Sequence, residues 1–95
     1  MTRDEHLYTI AGEECAELAQ RFSKAARFGG NEVQPGQDLN NRQRILYEFA
    51  DLLAMMEMLE FAPQPMHVAL RPFIDDKKAK VEKFLAYSQE CGTLS

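Results

Sequence analysis

Cysteine is nearly missing from this chain, occurring only as Cys15 and Cys91. The two stand far apart and form no CxxC, which excludes a cysteine-built metal or redox motif. A disulfide between them is not expected, because the cytosol keeps thiols reduced. Lysine and arginine form no dense block and the net charge is −4, so the chain lacks the positive field that binding to phosphate backbones requires. A nucleic-acid polymer is therefore not an expected partner. No apolar run approaches the roughly 20 residues that cross a bilayer, and the opening MTRDEHLYTI has no apolar signal-peptide core. No membrane partner is expected, and the expected compartment is the cytoplasm. Strand-type alternation is also nearly absent.

What is present is helical. Of 95 residues, 45% are apolar and 27% charged, a balance that folds but leaves one small domain near the lower limit of independent stability. The whole chain, residues 1–95, reads as one all-α domain. A first helix is predicted over about 3–28, free of proline and stopped by FGGN. Gly12 inside it either admits a close neighbour or is simply tolerated. GGNEVQPGQDL follows as a loop. A second helix is predicted over about 41–61, with Asn40 as N-cap and APQP as its break. The third helical region begins near Met66, and Pro72 either kinks it or separates a short piece from a longer helix starting near Ile74. Three main helices offer too few faces to close a core, so a helical bundle completed by a partner subunit is expected.

The polar pattern is less ordinary. At about 100° per residue, the first helix aligns Leu7, Ala11, Leu18, Phe22 and Ala25, and Glu14 falls within that stripe with Glu17 at its flank. Glu13 lies further towards solvent. The second helix aligns Ile45, Phe49, Leu52, Met56 and Leu59, with Glu48 in the middle and Asp51 at the edge. Any one of these acids alone reads as a boundary residue whose head reaches water. Two pairs at i and i+3 on two helices are different, because inward carboxylates need compensation. Hard divalent cations take oxygen ligands and are held by facing carboxylates inside helical bundles. On the third helix Lys77 falls within the stripe of Ile74, Val81, Phe84 and Leu85, with Lys80 beside it. Lys77 would cancel acid charge, bind phosphate, or snorkel at a subunit boundary. Lys24 and Arg27 are weaker phosphate candidates, since helix ends commonly carry basic residues.

EECAE, Glu13 to Glu17, and EFAD, Glu48 to Asp51, resemble the EExxE and ExxD signature of the MazG-like all-α nucleoside triphosphate pyrophosphohydrolases. The run AQRFSKAARFG is similar to small MazG-like proteins, many of them phage-encoded, and the likeness covers most of the chain. Residues 18–47 make a spacer slightly longer than the family's usual one, which implies an enlarged rim formed by GGNEVQPGQDLN. The resemblance implies that Glu14, Glu17, Glu48 and Asp51 hold Mg²⁺, with Mn²⁺ as a substitute, and that Glu13 supports those ligands or orients water. It implies hydrolysis of a (deoxy)nucleoside triphosphate to the monophosphate and pyrophosphate, in the cytoplasm, or the host's cytoplasm if phage-encoded. Lys77 and Lys80, with Lys24 or Arg27, would stabilise the departing pyrophosphate. It also implies a homodimer or homotetramer. The rival is a non-catalytic helical dimerisation module whose acids pair with Lys77, Arg42 or Arg44. A di-iron bundle needs Glu-x-x-His on two helices, which His6 and His67 do not supply. For the base, His6, Tyr8, Phe28, Asn40, Asn41 and Tyr47 are candidates without motif support, so base and sugar stay unassigned.

Overall fold

The computed structural model describes residues 1–95 and is all-α. Its four helices are α1 (Arg3–Phe28), α2 (Asn41–Met58), α3 (Met66–Ala69) and α4 (Arg71–Glu90). They fall into two compact units, Met1–Phe61 and Ala62–Ser95.

In the first unit, local chemistry sets the helix ends. The Thr2 hydroxyl accepts from the Glu5 amide at 3.1 Å, Asp4 and Glu5 occupy the first turn of α1 and Arg27 the last, all in keeping with the helix dipole. Gly29 closes α1 at φ 96°, its amide donating to the Ala25 carbonyl. The bounds of α1 agree with those read from the sequence. α2 starts in a reciprocal cap. The Gln43 amide donates to Asn40 Oδ1, and the Asn40 amide donates to Gln43 Oε1, each at 2.9 Å. It ends earlier than the predicted 61, because Glu60 takes a left-handed φ of 57° while the Phe61 amide reaches back to the Met56 carbonyl. That is a Schellman-type stop made without glycine.

α2 runs back along α1. At one end the Tyr8 and Phe61 rings meet with centroids 5.9 Å apart. At the other, Asn41 is 2% exposed, and its Nδ2 donates to the Gly29 carbonyl at 2.8 Å and to Glu32 Oε2 at 2.9 Å. The Asn41 and Arg42 amides donate to the Glu32 and Gly30 carbonyls. One buried side chain therefore ties the end of α1, the loop and the start of α2 together. Between these ends the half-buried positions of α1 are Ala11, Glu14, Leu18, Arg21, Lys24 and Ala25. Phe22, expected inside, is 57% exposed. The seam follows the alternating three- and four-residue steps of a helix pair, which bring Arg21 inward and turn Phe22 out. On α2 Ile45, Glu48, Leu52, Met56 and Leu59 are half-buried as predicted, whereas Phe49 is exposed.

In the second unit Pro72 lies in the first turn of α4, where a missing amide proton is harmless. The helix therefore begins at Arg71 rather than near Ile74, and Pro72 introduces no kink. Arg71 and Asp75 form an exposed ion pair at 3.1 Å. Of the expected stripe, Ile74 is half-buried while Val81, Phe84 and Leu85 are exposed. Lys77 is exposed too, contrary to the inward placement its spacing suggests. α3 is only four residues long and cannot cover a twenty-residue helix. Across the chain Leu7 and Met66 are the buried apolar residues, so most large apolar side chains keep contact with solvent. No helix is long and apolar enough to cross a membrane. Cys15 and Cys91 are exposed free thiols.

Two substitutions test this account. A Cβ at Gly12 would meet nothing of this chain within 4 Å, so no other segment of the chain requires a glycine there. Gly12→Ala should stabilise the protein by about 0.5–1 kcal/mol in denaturant unfolding. Asn41→Ala strands buried acceptors and should destabilise it by about 2 kcal/mol in the same measurement.

Candidate metal centre

Midway along the first unit, α1 and α2 bring carboxylates to the shared seam. Glu14 and Glu48 are half-buried and Glu17 is exposed. One carboxylate oxygen of each lies within 4.8 Å of the other two. Glu14 Oε2 and Glu48 Oε2 are buried without any hydrogen-bond partner. Buried acceptors left unpaired are rare and costly. Three hard oxygen donors converging with two unpaired acceptors form the setting that Mg²⁺ or Mn²⁺ suits. Two oxygens on one octahedral Mg²⁺ stand about 3.0 Å apart when adjacent and about 4.2 Å when opposite, so the trio would have to draw in to share one ion.

The charges disturb one another. Burial raises the Glu14 carboxyl above its ordinary value, and the charges of Glu17 and Asp51 raise it further, while the neighbouring Glu48 carboxyl offsets part of this. Burial also raises Glu48, followed by the proximity of Glu17 and the charges of Glu14 and Asp51. Asp51 is thus close enough to act on both by charge, but it is exposed and lies outside the convergent trio. Glu13 is exposed as well.

Sequence reasoning missed Arg21. Its Nε lies 4.0 Å from Glu48 Oε1, with the two side chains 17% and 20% exposed, and its Nη1 is buried without a partner. The signal was present in the spacing, because Glu14, Glu17, Arg21, Lys24 and Phe28 repeat at three- and four-residue steps.

The other basic candidates are dispersed. Lys24 is half-buried, about 10 Å along α1 from Glu17 at 1.5 Å per residue. It lines a cavity of about 260 Å³ with Phe28, Glu32, Gln34, Pro35 and Asn41. Lys24 and Arg27 share a more open recess of about 740 Å³, and Arg27 sits over the Phe28 ring, 5.1 Å from its centroid. Lys77 and Lys80 are exposed on α4 in the second unit. Among the base candidates, Asn40 caps α2, Asn41 ties the loop and Tyr8 packs on Phe61, so all three have structural work. His6 and Tyr47 are exposed.

The raised carboxyls fix a sign. A carboxyl that binds its proton more tightly folded than unfolded favours folding once protonated, and that gain is lost as pH rises through the raised value. Without divalent cation, the melting temperature should climb as pH is lowered from neutrality towards the ordinary carboxylate range, and Glu48→Gln should flatten that slope. At neutral pH, Mg²⁺ at 100 times its Kd should add about 2.7 kcal/mol, and the same substitution should abolish the gain. Thermal melts across pH, with and without Mg²⁺, read both effects.

No protein-family model, curated protein or solved structure matches the chain, so the centre stands on its own geometry.

Proposed function

We propose that the chain is a Mg²⁺-dependent nucleoside triphosphate pyrophosphohydrolase of the MazG-like kind, converting a (deoxy)nucleoside triphosphate to its monophosphate and pyrophosphate. The observation that carries this reading is the convergence of Glu14, Glu17 and Glu48 oxygens within 4.8 Å on residues of the EExxE and ExxD pattern, two of them with buried, unpartnered oxygens. Mg²⁺ held there would supply Lewis-acid polarisation of the phosphates and a water acidic enough to attack phosphorus.

The side chains divide the remaining work. Glu14, Glu17 and Glu48 hold the ion, with Asp51 the fourth acid of the set. Glu13, exposed beside them, orients water. Lys24 and Arg27, one turn apart on α1, attract the polyphosphate. The cavity lined by Lys24 and Phe28 has room for the nucleoside end and lies at a workable distance along the same helix. The exposed Phe49, Phe73 and Phe84 support assembly into a homodimer or homotetramer, which would cover them.

One contact favours the rival reading, a helical interaction module whose acids serve ion pairing, and that is Arg21 against Glu48. It is a single long pair, and it leaves the buried oxygens unsatisfied.

The test is product identification after incubation with Mg²⁺ and a panel of nucleotides. Monophosphate and pyrophosphate should appear together, and Glu48→Gln should lower turnover by roughly 100-fold or more. Release of single phosphates, or no turnover with any nucleotide, would overturn the proposal.

A further inference from the structure

We infer that Arg21 is the group that grips the metal-associated phosphate, and that it makes cation binding and anion binding at this centre mutually dependent; the inference rests on the metal-centre reading above. The acids alone point only to a cation. Arg21 adds the opposite requirement, because a guanidinium N–H at Nη1 is buried with nothing to donate to.

Its nearest acid does not satisfy it. Nε stands 4.0 Å from Glu48 Oε1, beyond hydrogen-bond reach, and Nη1 has no acceptor at all. Three unsatisfied groups therefore meet in one seam: two carboxylate oxygens that want a cation and a guanidinium that wants an anionic oxygen. A bare divalent ion satisfies the first two and worsens the third, since it places positive charge beside a fixed guanidinium. A free anion does the reverse. A divalent ion carrying a phosphate satisfies all three, and the planar fork of arginine suits phosphate oxygens. Arg21 is set by the backbone of α1, one turn beyond Glu17, so a ligand on the acids and a ligand on Arg21 share the same few ångströms.

The consequence is thermodynamic. Arg21 should oppose the metal alone and favour the metal with phosphate, so each ligand tightens the other by the same factor. Replacing it should weaken phosphate binding to the metal-loaded centre without weakening binding of the metal alone, which a merely structural role would not do.

The experiment measures Mn²⁺ binding by electron paramagnetic resonance, with and without pyrophosphate, for the wild type, Arg21→Gln and Arg21→Lys. All three are first checked for unchanged helix content and assembly state. Arg21→Gln should bind Mn²⁺ alone as tightly as the wild type or more so, and should bind pyrophosphate to the Mn²⁺-loaded protein about 10- to 100-fold more weakly. Arg21→Lys, which keeps the charge and loses the fork, should fall between. Pyrophosphate affinity within about twofold of wild type in Arg21→Gln would overturn the inference, as would loss of Mn²⁺ binding itself, which would make Arg21 a support for Glu48. A wild type that binds no Mn²⁺ would remove both this inference and the hydrolase reading. Arg21-dependent pyrophosphate binding without turnover of any triphosphate would sink the hydrolase reading alone. Full turnover by Arg21→Gln would sink only the role of Arg21.

Discussion

Like charge held together in a half-buried seam is the constraint on which the first unit depends. Glu14, Glu17 and Glu48 repel one another, and no short ion pair relieves them, since Arg21 stops at 4.0 Å. Something else must keep α1 and α2 in register. That work is done at the two ends of the pair. Asn41 fastens the loop end through two hydrogen bonds and the Tyr8 and Phe61 rings close the other. The acids lie between two clamps, so contacts that do not involve them help to hold the helices in place. The fold that positions the acids therefore does not depend on what they bind, which is the preorganisation the proposed centre would need.

Much of this was legible in the residues because it is local. Helix ends follow from caps and breakers that act over a few positions, and so Thr2, Gly29 and the Asn40–Gln43 pair set boundaries readable from the sequence. The end of α2 was less legible, because a glutamate at positive φ carries no sequence mark. Pro72 was visible as an interruption. That it sits inside the first turn depends on where the preceding short helix stops, which proline alone does not reveal.

The facing residues were legible only in part, for a geometric reason. A wheel built at about 100° per residue fixes a stripe's direction by its bulkiest members, and Phe22 and Phe49 pulled the inferred faces towards themselves. In the structure the pairing of the helices sets the seam, and it follows Glu14, Leu18, Arg21 and Ala25. The error brought in two phenylalanines and hid an arginine. The same reasoning explains Asp51, which belongs to the four-acid pattern yet lies at the edge of α2 and reaches the trio by charge. Lys77 failed for a different reason: an inward face exists only if something covers it, and α4 has a four-residue neighbour in its unit.

A cluster that raises the pKa of its own members weakens the fold at neutral pH, because the folded state must hold charge it would rather neutralise. Stability therefore gives no reason for these acids to be where they are. A pair of leucines at Glu14 and Glu48 would fill the same seam, remove two unpaired buried oxygens and add apolar burial in a chain whose buried apolar residues are Leu7 and Met66. Nor does ion pairing give a reason, since Arg21, the cation beside Glu48, leaves its own Nη1 unpartnered. What remains is a seam in which the fold itself pairs neither the buried acceptors nor the buried donor. The proposed binding of a divalent ion together with a phosphate would pair both kinds of group at once, which is why the proposal couples the two ligands.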